Sequence, residues 1–228
     1  MNETSLRAAL ERLPIASLHF HASAGSTNDI ALQALEHTHP PDLTLIVADT
    51  QTAGRGRLQR QWVTLPGSAL AFSLIIRPTA AEAAWLGFFA PLAGLAVALA
   101  LEDLGLRPEI KWPNDVLLNR RKVCGVLVES VWEGSQVRGC VVGVGVNVAP
   151  SSVPPVDQVM YPAGCVEQAL GQPVAREALL ASILKYFIQH RPSLGTPPFL
   201  QAWQQRLAFK GEPVRVEPGI ICASCIRT

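Results

Sequence analysis

The densest run of residues able to do chemistry is Gln51-Thr-Ala-Gly-Arg-Gly-Arg-Leu-Gln-Arg-Gln-Trp62. Arg55, Arg57 and Arg60 fall within six residues, and Gly54 and Gly56 bracket the first of them. Glycine lets the backbone approach a ligand closely and present N–H groups to an anion. Guanidinium forks match the oxygens of phosphates and carboxylates. The loop therefore suits a polyanionic ligand better than an apolar one. On composition alone a solvated basic loop or an RNA-contacting patch is the competing reading.

Further segments bear on that choice. Lys111-Trp-Pro-Asn-Asp115 places an amide and a carboxylate, Asn114 and Asp115, just after a lysine, with Pro113 fixing the backbone between them. Taken alone, Asn114 and Asp115 also fit a plain turn. Lys122-Val-Cys-Gly-Val-Leu-Val-Glu129 is an apolar strand interrupted by Gly125, where room for a ligand is a common reason for glycine. Lys122 stands at its start, able to reach into a cleft or simply to lie on the surface. Gly143-Val-Gly-Val-Asn147 has two glycines of a dinucleotide-binding loop but lacks the third, opens no helix and has no acid at the expected spacing. No GxxxxGK followed by Ser or Thr occurs, so a nucleotide would need another kind of site.

The elements that must carry these residues can be read from periodicity and punctuation. Leu6 to Leu13 reads as a short amphipathic helix and Ile15 to Phe20 as a strand. Ser26, Thr27 and Asn28 are helix-start residues, and Asp29 sits where the helix dipole favours an acid, so a helix should run to about Glu36. Leu43 to Asp49 and Ser68 to Ile76 read as strands, and Ala81 to Leu104 as one apolar helix ending near Gly105. Ile110 to Trp112 and Val116 to Leu118 are short strands. Val123 to Trp132 and Val137 to Val148 form a hairpin through Gly134 and Ser135. Helices follow at 175–190 and 198–207, and Pro213 to Val216 begins a further strand. The expected class is α+β, a mixed and largely antiparallel sheet backed by helices.

Composition bounds the function. The chain has 228 residues, of which 49% are hydrophobic, enough for a sizeable core. A net charge of +1 gives no ground for general nucleic-acid binding, so anion chemistry must come from local clusters. The first residues lack the basic start and apolar core of a signal peptide. No charged residue interrupts the stretch from Ala83 to Leu101, yet its alanines, Gly87, Pro91 and Gly94 read as a buried helix rather than a membrane span. Five cysteines, an odd number, argue against a disulfide framework; Cys222 and Cys225 form a lone CxxC with no second ligand pair.

Ser26-Thr27-Asn28, GRGRLQRQW (54–62), KWPND (111–115), KVCGVLVE (122–129) and GVGVN (143–147), in this order, resemble the motifs of biotin–protein ligases. The resemblance covers residues 15 to 210, and the arginine loop is its most specific part. It implies the catalytic domain shared with lipoate ligases. It also implies an ATP-dependent ligase that forms biotinyl-5'-AMP and transfers biotin to a lysine of a biotin carboxyl carrier protein in the cytoplasm. By the same resemblance, Ser26, Thr27, Asn28 and Gln51 would hold the ureido ring of biotin, with Gly54, Arg55 and Gly125 beside it. Arg55, Arg57, Arg60, Trp62, Lys111, Asn114 and Asn147 would serve ATP and its phosphates. Lys122, Arg55 and Asp115 would be the catalytic set: Lys122 against the activated carboxyl, Asp115 either assisting the acceptor amine or merely orienting. Magnesium would arrive with ATP, near Asp115. Pairing of two subunits through a sheet edge belongs to the same family picture.

Two departures shape the expectation. The motifs begin by residue 26, which leaves no room for the DNA-binding domain of some members, so a monofunctional ligase without operator or membrane partner is expected. Residues 1–208 would form the catalytic domain. Residues 209–228 would be a remnant of the family's C-terminal SH3-like barrel, incomplete after Phe209-Lys-Gly-Glu-Pro-Val-Arg-Val216, which puts nucleotide affinity in question. The competing readings are a lipoate or octanoate ligase or transferase of the same fold, and a catalytically weakened protein that binds biotin or biotinyl-AMP.

Overall fold

The computed structural model describes residues 1–58, 60–62 and 64–213. The elements follow as α1 (Glu3–Leu10), β1 (Ser17–His21), α2 (Thr27–His37), β2 (Thr44–Ala48), β3 (Ala69–Ile76), α3 (Ala80–Ala83), α4 (Phe89–Glu102), β4 (Glu109–Lys111), β5 (Asp115–Leu118), β6 (Arg121–Glu133), β7 (Gln136–Asn147), α5 (Val166–Leu170), α6 (Arg176–His190) and α7 (Pro197–Gln204). The seven strands make one sheet in the order β1-β2-β3-β7-β6-β5-β4. Only β1 and β2 pair in parallel; every other neighbouring pair is antiparallel. The mixed, largely antiparallel sheet backed by helices expected from the sequence is the fold observed.

Strand side chains alternate between the two faces, and the two faces differ in chemistry. Leu45 and Val47 on β2, Leu70, Phe72, Leu74 and Ile76 on β3, and Cys140, Val142, Val144 and Val146 on β7 join the main core with α1, α4 and α6. The opposite face carries a smaller apolar patch, in which Ile46, Ile75 and Val141 meet Ala31 and Leu35 of α2. Beyond that patch this face turns polar and bare: Ser73 is buried, and Gly143, Gly145 and Gly125 replace side chains with open backbone. α2 covers one end of this face and the arginine loop the other.

The apolar stretch expected as a single helix is broken. Thr79 and Glu82 form a capping box that starts the four-residue α3, a 3-10 turn follows at Leu86–Phe88, and α4 starts afresh at Phe89. Pro91 lies in the first turn of α4, where its missing N–H has no intrahelical role, and so marks a second helix start. Ten of the fourteen residues of α4 are buried, which accounts for their uniform hydrophobicity. Among the described residues no helix is long and apolar enough to cross a membrane. α5 lies between the hairpin and the helix expected from residue 175, where no element was expected; it ends at Gly171 in the left-handed region, φ +79°.

Two β-bulges interrupt the antiparallel ladder. Val116 pairs with Cys124 but Leu117 pairs with Lys122, so Val123 is an extra residue in β6. Val131 pairs with Gly139 but Trp132 pairs with Val137, so Arg138 is an extra residue in β7. Such an extra residue reverses which face the following side chains point to. The strand expected from Pro213 to Val216, and Cys222 and Cys225, lie outside the described residues beyond Pro213.

Candidate active site

The first bulge explains the aim of Lys122. Cys124 and Val126 point into the main core, so by simple alternation Lys122 would point there too. With Val123 as the extra residue, Lys122 emerges on the glycine face, its Nζ close enough that a Cβ at Gly125 would meet it at 3.2 Å. Asp115, the cross-strand partner of Gly125, shares that face and is only 8% exposed. Lys122 Nζ lies 2.6 Å from Asp115 Oδ1, and Lys111 Nζ lies 3.5 Å from Asp115 Oδ2. One carboxylate thus fixes two ammonium groups side by side. Asn114 donates from Nδ2 to the Val126 carbonyl (2.9 Å), and Asn147 donates to the Gly164 carbonyl (3.0 Å). Both amides therefore serve the local frame.

The arginine loop folds back over this face as a flap. Trp62 N donates to the Gly54 carbonyl (2.8 Å) and Gly56 N to the Arg60 carbonyl (2.7 Å), while Thr52 and Ala53 donate to the carbonyls of Ala24 and Gly25. The glycines differ in what demands them. A Cβ at Gly54 would collide with the Trp62 carbonyl oxygen and sit 2.9 Å from Gln51 Nε2, so the flap's own backbone requires glycine there. A Cβ at Gly56 would meet nothing closer than 3.5 Å. Trp62 closes the flap by laying its indole against the backbone windows at Gly125 and Gly145, which face each other across β6 and β7. Lys122 Nζ stands 5.8 Å from the indole centroid, and the indole N–H is buried without a hydrogen-bond partner. Arg57 Nη1 reaches Asn114 Oδ1 at 3.4 Å, while Arg57 and Arg60 are otherwise exposed.

At the other end of the face, the start of α2 forms a buried polar nest. Ser26, Thr27 and Asn28 are 3%, 3% and 4% exposed. Gln51 Oε1 accepts from Thr27 N (2.8 Å) and Thr27 Oγ1 (3.1 Å). Ser73 Oγ approaches Thr27 Oγ1 (2.8 Å) and donates to Asn28 Oδ1 (2.6 Å). Asn28 Nδ2 donates to Glu129 Oε2 (2.8 Å). Asn28 fills the space left by Gly143, where any Cβ would strike its amide.

Arg55 departs most from its expected position. Its terminal nitrogens donate to both oxygens of Glu129, at 2.9 and 2.7 Å, and Nη2 also lies 2.8 Å from Asp29 Oδ1. Burial opposes its charge, but the hydrogen bond to Glu129 and the charges of Glu129 and Asp29 outweigh that and hold the guanidinium above its ordinary value. Arg55 is clamped between two carboxylates, which makes it an anchor of the flap. Asp29, Glu129 and Ser73 join the candidate site through these contacts, and none of them was among the site residues expected from the sequence. Ser73 had a signal, a lone hydroxyl in an otherwise apolar strand, and Glu129 closes the KVCGVLVE segment (122–129).

The residues do not fit a resident magnesium ion. Asp115 already faces two ammonium groups, and among the described residues no group of three or more His, Cys, Asp or Glu is placed to hold a metal. Cys124, Cys140 and Cys165 are free and buried.

A polar nest, a glycine window and a cationic flap thus share one face of a mixed sheet in an α+β domain. Residues 21–147 match the Biotin/lipoate A/B protein ligase family, and the chain belongs to that family. It is 38% identical over 195 residues to the biotin–(acetyl-CoA-carboxylase) ligase of Paracoccus denitrificans, covering 76% of this chain and 75% of that one. It is 35% identical over 191 residues to the bifunctional ligase/repressor BirA of Bacillus subtilis (strain 168), covering 82% of this chain and 58% of the relative's length. Among solved structures, a biotin protein ligase from Aquifex aeolicus in complex with biotin and ATP superposes with a TM-score of 0.77 at 28% identity, over 91% of this chain and 85% of that one.

Proposed function

We propose that the protein is an ATP-dependent biotin–protein ligase. It joins biotin and ATP to give biotinyl-5'-AMP and pyrophosphate, then transfers the biotinyl group to a lysine of a biotin carboxyl carrier protein in the cytoplasm, releasing AMP. The observation that carries this reading is the convergence of Lys122, the flap and the buried Ser26–Thr27–Asn28–Gln51 nest on one glycine-lined face.

The chemistry needs each part. A bicyclic ureido ring offers two N–H donors and a carbonyl acceptor, and a buried polar nest satisfies them where an aliphatic acyl chain would leave the nest unpaired. That contrast favours biotin over lipoate or octanoate. The biotin carboxylate oxygen attacks the α-phosphorus and pyrophosphate leaves with the broken bond's electron pair. Two anions must meet, so Lys122, Lys111 and the exposed Arg57 and Arg60 neutralise charge that grows on the phosphoryl oxygens. Asp115 positions Lys122 rather than taking a proton; its oxygens are committed to two ammonium groups. In the second step the carrier amine attacks the anhydride carbonyl and AMP departs. The flap, with Trp62 over the glycine window, keeps water from the anhydride.

The test is pyrophosphate release from biotin and ATP without carrier, followed by biotin transfer on adding a carrier domain. Both signals are expected. Biotin binding with no pyrophosphate release would instead identify a binding protein.

A further inference from the structure

The hairpin end of the sheet holds a second cationic recess, well away from the flap. Its cavity of about 230 Å³ is lined by Arg77, Arg138, His39, Gln136 and Glu133. Arg77 follows directly on β3, and Arg138 is the extra residue of the second bulge. Bulges recur where a side chain must be re-aimed for a function, as the first bulge does for Lys122. Arg138 lies seven residues from Gly145 along β7, roughly 20 Å at the rise of an extended strand.

The two guanidinium groups here are under-satisfied. Arg77 Nη1 and Arg138 Nε are buried without any hydrogen-bond partner. Arg7, Arg55, Arg120, Arg176, Arg191 and Arg206 pair with carboxylates; among the described residues Arg77 and Arg138, like Arg12, Arg57, Arg60, Arg107 and Arg121, form no ion pair. Asp42 accepts from the Arg77 backbone N–H at 2.8 Å and from Arg191 Nη1 at 2.6 Å, and it does not line the recess. Arg138 is held in place by its Nη2, which donates to the Thr38 carbonyl (3.2 Å) and lies 3.1 Å from His39 Nδ1. Its Nε is left pointing at no acceptor. Glu133 contributes one negative charge at the exposed rim against two cations. Buried N–H donors on a charged group are costly to leave unpaired, and a pair of guanidinium forks is the arrangement that recognises an oxyanion. The cavity is smaller than the ~300–1,000 Å³ of pockets for drug-sized ligands, so its occupant is small.

We propose that this recess binds a small oxyanion of phosphate chemistry, either free phosphate or the phosphoryl group of a small monoester. The proposal is independent of the ligase reading.

The test is a calorimetric titration of the full chain at low salt with inorganic phosphate and, separately, with methyl phosphate. Wild type, Arg77→Ala, Arg138→Ala, Arg138→Gln and the flap variant Arg57→Ala are compared, each checked for an unchanged melting transition. Arg138→Gln keeps an amide donor for the Thr38 carbonyl should Arg138→Ala fail to fold. Saturable binding is expected in wild type and Arg57→Ala, weakened about tenfold or more in each recess variant. Glu133→Gln is expected to tighten it. Binding of either ligand that weakens in the Arg77 and Arg138 variants supports the proposal, and the ratio of the two ligands tells the free ion from the monoester. Loss of binding in Arg57→Ala with retention in the Arg77 and Arg138 variants would place phosphate at the flap and overturn it. The absence of saturable binding in wild type would do the same.

Discussion

Glu129 accepts from both terminal nitrogens of Arg55, at 2.9 and 2.7 Å, while the same carboxylate accepts from Asn28 at 2.8 Å. One acid at the middle of β6 therefore ties the flap to the buried nest. Removing it should loosen both. Glu129→Ala is expected to weaken biotin binding about tenfold or more and to speed proteolytic cleavage within residues 52–61. Because both side chains are partly solvated, the pairwise coupling between Arg55→Ala and Glu129→Ala in a double-mutant cycle should be about 1 kcal/mol. Strictly additive effects would mean that Arg55 works on ligand and not through Glu129.

Residue types announced most of this site, and the sheet announced most of the fold. The strands along 69–76 and 136–147 were legible as apolar runs rich in β-branched and small residues. The arginines, Lys122 and the helix-start triplet were legible because their types are unusual at strand and loop boundaries. Their partners were not. Glu129 reads as a strand-end acid and Asp29 as a dipole-compensating acid, and only the return of the flap across the sheet brings both to Arg55. The aim of Lys122 was hidden for a different reason. A bulge is a mismatch between two strands, and no single strand's sequence records it. The break near residue 85 has a sequence signal in Pro91, which fits the first turn of a new helix better than the interior of a long one.

Lys122 and Asp115 separate charge from placement. Lys122→Ala should lower the rate of biotinyl-AMP formation about 10²–10³-fold, the usual cost of removing one positioned donor to a developing anion. Asp115→Asn keeps the ammonium but loosens its anchor, so a smaller fall in the chemical step is expected with substrate binding little changed. Single-turnover pyrophosphate release reads both. An Asp115→Asn rate matching that of Lys122→Ala would make the carboxylate a direct participant.

The glycine window offers a steric test. A methyl group at Gly143 would strike the Asn28 amide, and one at Gly145 would strike the Trp62 indole. Overpacking of this kind costs about 1–3 kcal/mol. Gly143→Ala should therefore lower the melting temperature and impair biotin binding through the displaced Asn28. Gly145→Ala should instead expel Trp62, which tryptophan emission shifted toward the solvent-exposed range would register. Wild-type emission and biotin affinity in both variants would show that the window needs no bare backbone.

The buried thiols predict how stability falls in alkali. Burial pushes the Cys140 thiol from its ordinary 9.0 up to about 12, and raises Cys124, which is wholly enclosed, further still. Both therefore stay protonated in the folded chain while the unfolded chain ionises above about pH 9. The folded state then binds more protons than the unfolded one, so the stability tied to each thiol is complete below about pH 9 and drains away as pH rises toward the folded value. For each thiol the slope is about 1.4 kcal/mol per pH unit over that range. Denaturant unfolding between pH 8 and 10.5 should show the decline, and Cys140→Ala should make it shallower. With Cys222→Ser and Cys225→Ser in place, a thiol reagent at pH 8 should react slowly with the native protein and promptly once it is unfolded. Prompt native labelling would mean that Cys124, Cys140 or Cys165 reaches solvent without global unfolding.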